Sequence, residues 1–279
     1  MFCYLSTPIF PSETSDILRD IMKDVQKNVD LRLLSVAIGT MLGDGHIAMR
    51  NTNTCNMRFR HGSLQQNYIS WKFENLKILA APSSKVHYSE QYDKKAKKWY
   101  GTCSFSLAAG PLFVWLHSVF YKWDGKTYVK FVPEIIMQVM NDLLFAVLMG
   151  DDGKFSAYHY EIACYSFSHD CQTRLVDAIN KVLGLNGSVA RYNSKFYLIR
   201  FPAADTAKIA SICAKHWPEG LRYKLPPSHP LYQKPSAGMG LPLPLSSDMA
   251  IWRDWYEEQV ESGSNTLGYE KWLKTLPKN

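Results

Sequence analysis

Two stretches of this chain repeat one pattern 108 residues apart, and that repeat constrains the fold more than any other feature. LSVAIGTMLGDGHIAM (Leu34–Met49) and LLFAVLMGDDGKFSAY (Leu143–Tyr158) each begin as an apolar helical run, stop at Asp-Gly and continue as an alternating strand. The segments after each run match as well. Asn56–His61 and Ala163–His169 are expected strands ending in Phe-x-His, and Leu64–Leu79 and Cys171–Leu183 have amphipathic helical spacing. Two more strand candidates come next in each half: Lys85–Glu90 with Trp99–Leu107, and Ser188–Tyr192 with Lys195–Phe201. A helix comes after them, Pro111–Tyr121 or Ala203–His216. Each half then closes on a lysine just ahead of proline, VKFVP at Lys130–Pro133 and YKLP at Lys224–Pro226.

The order helix, two strands, helix, two strands, helix predicts an α+β fold of two pseudo-symmetric αββαββα repeats, residues 31–133 and 134–226. Helices would cover one face of each antiparallel sheet and leave the other to water or a ligand. Residues 1–30 predict a helical extension, with its helix at Ser12–Val29. Residues 227–279 predict a proline-rich connection and a packing helix at Asp248–Glu261, aromatic on one side through Trp252, Trp255 and Tyr256.

Charge points to the partner. The net charge is +7, but residues 31–225 carry 24 basic and 14 acidic side chains, a local +10. A basic body between near-neutral or acidic flanks suits a nucleic acid. The cysteines (Cys3, Cys55, Cys103, Cys164, Cys171, Cys213) are scattered without a C-x-x-C pair, against a zinc site or a disulfide framework. Leu143–Met149 is far too short to span a bilayer, so no membrane partner is expected, and the N-terminus lacks the basic start of a secretory signal.

The repeated run carries its own chemistry. Gly39 and Gly43 lie four apart on one helix face, where a second helix backbone can come close. Two such helices would bring both Asp-Gly ends to one floor, each turned by a glycine with positive φ. Paired carboxylates near the negative ends of helices repel unless a cation lies between them, and hard oxygen ligands suit Mg²⁺. In the second run Val147 stands where the first has Gly39, and Ala146 with Gly150 form a small-residue pair one position out of register. An asymmetric helix crossing is therefore expected.

Ala37–Gly45 resembles the LAGLIDADG motif, and Phe145–Gly153 is a degenerate copy of it. Residues 31–226 are similar to the monomeric, intron-encoded LAGLIDADG homing endonucleases, whose second motif also has a double aspartate and whose domain ends in Tyr-Lys-Leu-Pro. The resemblance implies a saddle of antiparallel sheets over double-stranded DNA, with the two motif helices packed at its centre. It implies Asp44 and Asp152 as catalytic ligands of Mg²⁺ or another divalent cation such as Mn²⁺, assisted by the carbonyls of Gly43 and Asp151. Lys130 and Lys224 would polarise water or stabilise phosphate charge. It further implies a long asymmetric target, short 3′ overhangs and an organellar setting (mitochondrion or chloroplast). A maturase acting on intron RNA is the other role of this fold. The residues alone leave Asp151 open as the ligand; Asp152 is favoured because it directly precedes glycine.

The strands supply a DNA-reading surface. His46 and Arg50 oppose Ile47 and Met49; Asn56, Arg58 and Arg60 oppose Met57 and Phe59; Lys154, Ser156 and Tyr158 oppose Phe155 and Ala157. Tyr100, Thr102 and Ser104 alternate along the fourth strand of the first half. Such groups can read base edges in the major groove, or simply form a solvated sheet face. The expected loop Tyr92–Lys98 carries Lys94, Lys95, Lys97 and Lys98, suited to phosphate contact or to solubility alone.

Overall fold

The computed structural model describes residues 31–51, 54–95, 97–234 and 247–262. The expected helix at Ser12–Val29 and residues 235–246 of the connection lie outside them. The first repeat runs α1 (Leu31–Leu42), β1 (His46–Asn51), β2 (Thr54–Gly62), α2 (Gln66–Leu76), β3 (His87–Asp93), β4 (Lys98–Ser106) and α3 (Pro111–Phe120). A hairpin, β5 (Tyr121–Trp123) with β6 (Tyr128–Lys130), and a short helix α4 (Ile136–Val139) lead to the second repeat. That repeat runs α5 (Asp142–Asp152), β7 (Gly153–Ser156), β8 (His159–Ile162), α6 (His169–Leu183), β9 (Ser188–Arg191), β10 (Tyr197–Arg200) and α7 (Thr206–His216). After it come a 3-10 segment, Glu219–Lys224, and helix α8 (Ser247–Glu261).

The two antiparallel sheets share one topology, β1-β2-β4-β3 and β7-β8-β10-β9. Pairing partners share a face, so register defines the surfaces. One face of the first sheet carries Phe59 opposite Phe105, stacked at 4.1 Å, and belongs to the core with Ile47, Met57 and Cys103. The other face carries the rows His46–Arg58–Ser106 and Arg60–Ser104–His87.

Helices α1 and α5 meet at the centre without a second pair of small residues. A Cβ on Gly39 would lie 2.8 Å from Val147 Cβ and 2.7 Å from Leu144 O; one on Gly43 would lie 2.5 Å from Asp151 Cβ. Both close approaches therefore come from the first motif, Gly39 in α1 and Gly43 just after it, each against the residue 108 positions on. The pair expected from Ala146 and Gly150 does not serve this contact. Ala146 O accepts from Trp217 Nε1, and Gly150 makes room for Tyr68 and Leu221.

Other local expectations shift. Residues 163–167 are not a strand, because the tight β7–β8 turn, with Ala157 at φ 54°, returns the chain early and pairs Ser156 with His159. Ser168 then caps α6 by accepting from Cys171 N. The lysine loop is shorter than expected, since β3 extends to Asp93 and buries Tyr92 against Trp99. Helix α8 completes that end of the sheet: Trp252, 6% exposed, and Tyr256 pack on Trp99 at 5.1 and 5.3 Å. Among the described residues no helix is long and apolar enough to cross a membrane.

Candidate active site at the paired helix ends

Both motif helices end at a common floor. After α1, Gly43 N donates to Gly39 O and Gly45 N to Thr40 O, closing the helix. After α5, Gly153 is already extended at φ −82°. Neither motif glycine has positive φ; among the described residues only Gly125 and Gly184 do among glycines. The glycines answer crowding instead. A Cβ on Gly45 would meet Thr40 at 2.7 Å, and one on Gly153 would meet Met149 O at 2.5 Å. The strand leaves so close to the preceding turn that no side chain fits.

Asp44, Asp151 and Asp152 gather here with Lys72, Lys130 and Lys224, three carboxylates among three ammonium groups. Lys130 and Lys224 cap the helix ends in corresponding ways. Lys130 Nζ donates to Gly43 O at 2.8 Å; Lys224 Nζ donates to Gly150 O at 2.6 Å and Asp151 O at 3.3 Å. A cation beside the last carbonyls of a helix offsets its negative end. The main-chain oxygens expected to assist a metal thus sit beside the expected lysines.

The three acids have different surroundings. The Asp44 side chain is 41% exposed, and burial plus the charge of Asp151 raise its pKa. Burial, then Asp151 and Asp44, push Asp152 up to about 7. Asp151 has no exposed side-chain surface: Oδ1 accepts from Lys72 Nζ at 2.5 Å and Oδ2 from Asp44 N at 3.2 Å. Burial likewise draws Lys130 and Lys224 below the usual lysine range, against the pull of the acids.

The donors fit a divalent cation. Asp44 and Asp152 are carboxylates whose charge is disfavoured by burial and by neighbouring acids, a condition that a hard cation would relieve. Asp44, Asp151 and His61 also have ligand atoms within 4.8 Å of one another. There Lys72 already supplies the positive charge, lying 3.0 Å from His61 Nε2 as well. Burial, followed by the Lys72 charge, lowers the His61 pKa to about 4. That group reads as an internal ion pair.

Sequence reading missed His61, Lys72, Gln65 and Tyr68. Tyr68, Ile69, Lys72 and Leu76 form the buried stripe of α2, so a lysine on an apolar helix face was the available signal. His61 was noted only as the end of a Phe-x-His strand. The histidine that matches it in the sequence pattern, His169, begins α6 instead, edge-on to Tyr197 at 5.2 Å.

The DNA-reading candidates divide. His46, Arg58, Arg60 and Tyr100 are exposed and Thr102 and Ser104 half-buried on one polar sheet face, with Thr102 hydrogen-bonded to Ser89. The backbone places Arg50 on β1 and Lys98 at the start of β4. Asn56 is a correction: at 1% exposure, opposite Ala48, it is engaged within the protein and does not face a groove. Lys154 lies on the outer face of β7 but is tied to Glu161 at 3.0 Å, an acid also held by Arg200 and His159. Ser156 ends β7, and Tyr158 belongs to the turn rather than the strand, 79% exposed. Lys94, Lys95 and Lys97 are exposed at the β3–β4 tip, where Lys97 reaches Glu261 of α8 at 3.3 Å.

The profile of the LAGLIDADG DNA endonuclease family matches residues 34–209, both helix ends and both sheets. The chain belongs to this family. DNA endonuclease I-ChuI of Chlamydomonas applanata is 24% identical over 202 residues, 67% of this chain and 91% of that protein. Protein RecA of Mycolicibacterium flavescens is 24% identical over 242 residues, 80% of this chain, which spans only 53% of that protein's length. Among solved structures, the homing endonuclease I-WcaI bound to its DNA recognition sequence aligns with a TM-score of 0.62. That alignment has 15% identity and covers 80% of this chain and 96% of that one, a likeness of fold. The LAGLIDADG architecture of paired αββαββα repeats expected from the sequence is the one observed.

Proposed function

We propose that this LAGLIDADG chain is a site-specific, divalent-metal-dependent endonuclease that cuts both strands of a long asymmetric DNA target as a monomer. One observation carries the reading: Asp44 and Asp152 end two helices packed against each other, each end attended by a lysine on its carbonyls. Two acids at one floor, between two polar sheet faces, suit one cut in each strand.

In this reading Asp44 and Asp152 hold Mg²⁺ or Mn²⁺. A cation bound there supplies charge neutralisation to the phosphodiester and its leaving 3′ oxygen. Asp152 is preferred to Asp151 in that role because both Asp151 oxygens already accept hydrogen bonds, from Lys72 and from the Asp44 amide. Lys130 and Lys224, buried beside the floor, can hold a proton or donate to a phosphate oxygen. Arg58, Arg60 and Tyr100 face the groove, and the lysines of the β3–β4 tip contact phosphates.

The test is selection of cut duplexes from a randomised library incubated with the full chain and Mg²⁺ or Mn²⁺. Recovery of one extended sequence cut in both strands, dependent on metal and lost in Asp44→Asn, is the expected result. No enrichment under either metal, from a folded protein, would overturn the reading.

A further inference from the structure

Asp44 is held at both ends of one closed ring. Its N–H donates to Asp151 Oδ2 at 3.2 Å; Asp151 Oδ1 accepts from Lys72 at 2.5 Å; Lys72 lies 3.0 Å from His61 Nε2; and His61 Nδ1 lies 3.4 Å from Asp44 Oδ2. An ammonium only donates, so His61 Nε2 contributes its lone pair and the ring proton sits on Nδ1. That Nδ1–H donates to Gln65 Oε1, 2.9 Å away, and the Asp44 carboxylate lies 3.4 Å from the same nitrogen. Lys72 is fully buried, 4.4 Å over the Tyr68 ring, and Tyr68 is tied to Val147 O at 2.9 Å. The ring therefore has little freedom of its own.

Among the described residues nothing matches it around Asp152. The residue 108 positions before Asp151 is Gly43, which has no side chain to receive the Asp152 amide. Beyond the shorter β7–β8 turn the offset between the repeats falls to 103, since Arg58 and Glu161 pair with His46 and Lys154, so His61 and Lys72 correspond to Cys164 and Leu175. Cys164 and Leu175 are both buried in the apolar core, 2% and 0% exposed, and neither can supply the imidazole or the ammonium of the first-repeat ring.

We infer that Lys72 and His61 are positioning residues for Asp44 alone, making the two half-sites unequal: the strand cut that depends on Asp44 depends on them, and the other does not. The inference rests on the endonuclease reading above. It assigns the ring the task of fixing the rotamer of one metal-binding carboxylate, a task that geometry of about half an ångström decides.

The test compares Lys72→Met, His61→Ala and the charge-balanced double variant Lys72→Met/Asp151→Asn with the parent chain, on a duplex labelled separately on each strand. Cleavage of one strand, the same in all three variants, is expected to slow at least tenfold more than the other, so nicked product accumulates. Equal slowing of both strands, or of neither, overturns the inference. Because Lys72→Met can fail to fold, His61→Ala and the double variant carry the comparison. A second readout needs no cleavage: amide exchange and Ca²⁺ titration followed by ¹H–¹⁵N NMR. Protection of the Asp44 amide is expected to fall at least tenfold in the double variant while that of Asp152 holds. In His61→Ala, Ca²⁺-induced shifts are expected to weaken at Asp44 before Asp152. Coincident changes at both aspartates also overturn it. A parent chain that cuts no duplex defeats the endonuclease reading, and the NMR arm then decides the ring by itself.

Discussion

Lys72 and Asp151 come from different repeats and form an ion pair at 2.5 Å in which neither side chain has any exposed surface. The pair joins α2 of the first repeat to α5 of the second beneath the acid floor. It also removes the central carboxylate from the set facing solvent, leaving Asp44 and Asp152 as two acids related by the repeat.

The pair sets apart the neighbouring aspartates. Asp151→Ala leaves a buried ammonium unpaired, a loss on the order of 3–5 kcal/mol, and should lower the urea midpoint strongly. Asp152→Asn should leave the fold intact and eliminate double-strand cleavage while DNA binding persists. Denaturation and strand-resolved cleavage on both variants check this; a stable Asp151→Ala protein beside an unfolded Asp152→Asn would reverse the assignment.

Asp152 makes the metal-free protein pH-sensitive. Its carboxyl is raised from 3.8 to about 7, so between those values the folded chain holds a proton that the unfolded chain has released. Stability from this group therefore falls as pH rises from about 4 to 7. Asp152→Asn should melt higher than the parent at pH 8 without metal, with the difference vanishing near pH 4. Mg²⁺ should raise the parent's Tm at pH 8 and release protons at pH 6. Thermal melts in chelator across pH are the measurement, and a Tm advantage that grows toward low pH contradicts the assignment.

The basic surface should separate affinity from specificity. Replacing Lys94, Lys95, Lys97 and Lys98 with alanine should flatten the fall of DNA affinity with salt and weaken all sequences alike, because phosphate contacts release counterions. Arg58→Ala or Arg60→Ala should instead relax discrimination at a base or two, by about 1–3 kcal/mol each. Binding titrations at several salt concentrations on matched and mismatched duplexes distinguish the two. An unchanged salt slope in the quadruple variant means DNA approaches another face.

Helix α8 braces the same hairpin from its core side. Trp252 is buried on Trp99, whose indole N–H donates to Glu257. Trp252→Ala should cost about 3–5 kcal/mol of local packing and open α8 to protease. Footprint protection should then shrink at the flank bound by the β3–β4 tip while the centre stays covered. Limited proteolysis and footprinting measure both; an α8 as resistant as before shows that the aromatic cluster is not its anchor.

Periodicity was enough to place the two repeats, their sheets and the helix ends at Asp44 and Asp152, because helix and strand spacing are local properties of consecutive residues. The lysines before Pro133 and Pro226 were visible for the same reason: they recur at the close of each half. Other features were invisible locally. The β5–β6 hairpin, the early return at Ala157 and the burial of Asn56 depend on what each segment meets in space. The motif glycines were legible as a pattern, but their reason was not: the fold uses them for close approach rather than for positive φ. Above all, His61 and Asp151 stand 11 and 79 residues from Lys72 along the chain. A lysine on an apolar stripe signals a buried partner without naming it. Only the packing of α2 against α5 brings that partner within 2.5 Å, and only there does burial turn two ordinary charged residues into a fixed pair.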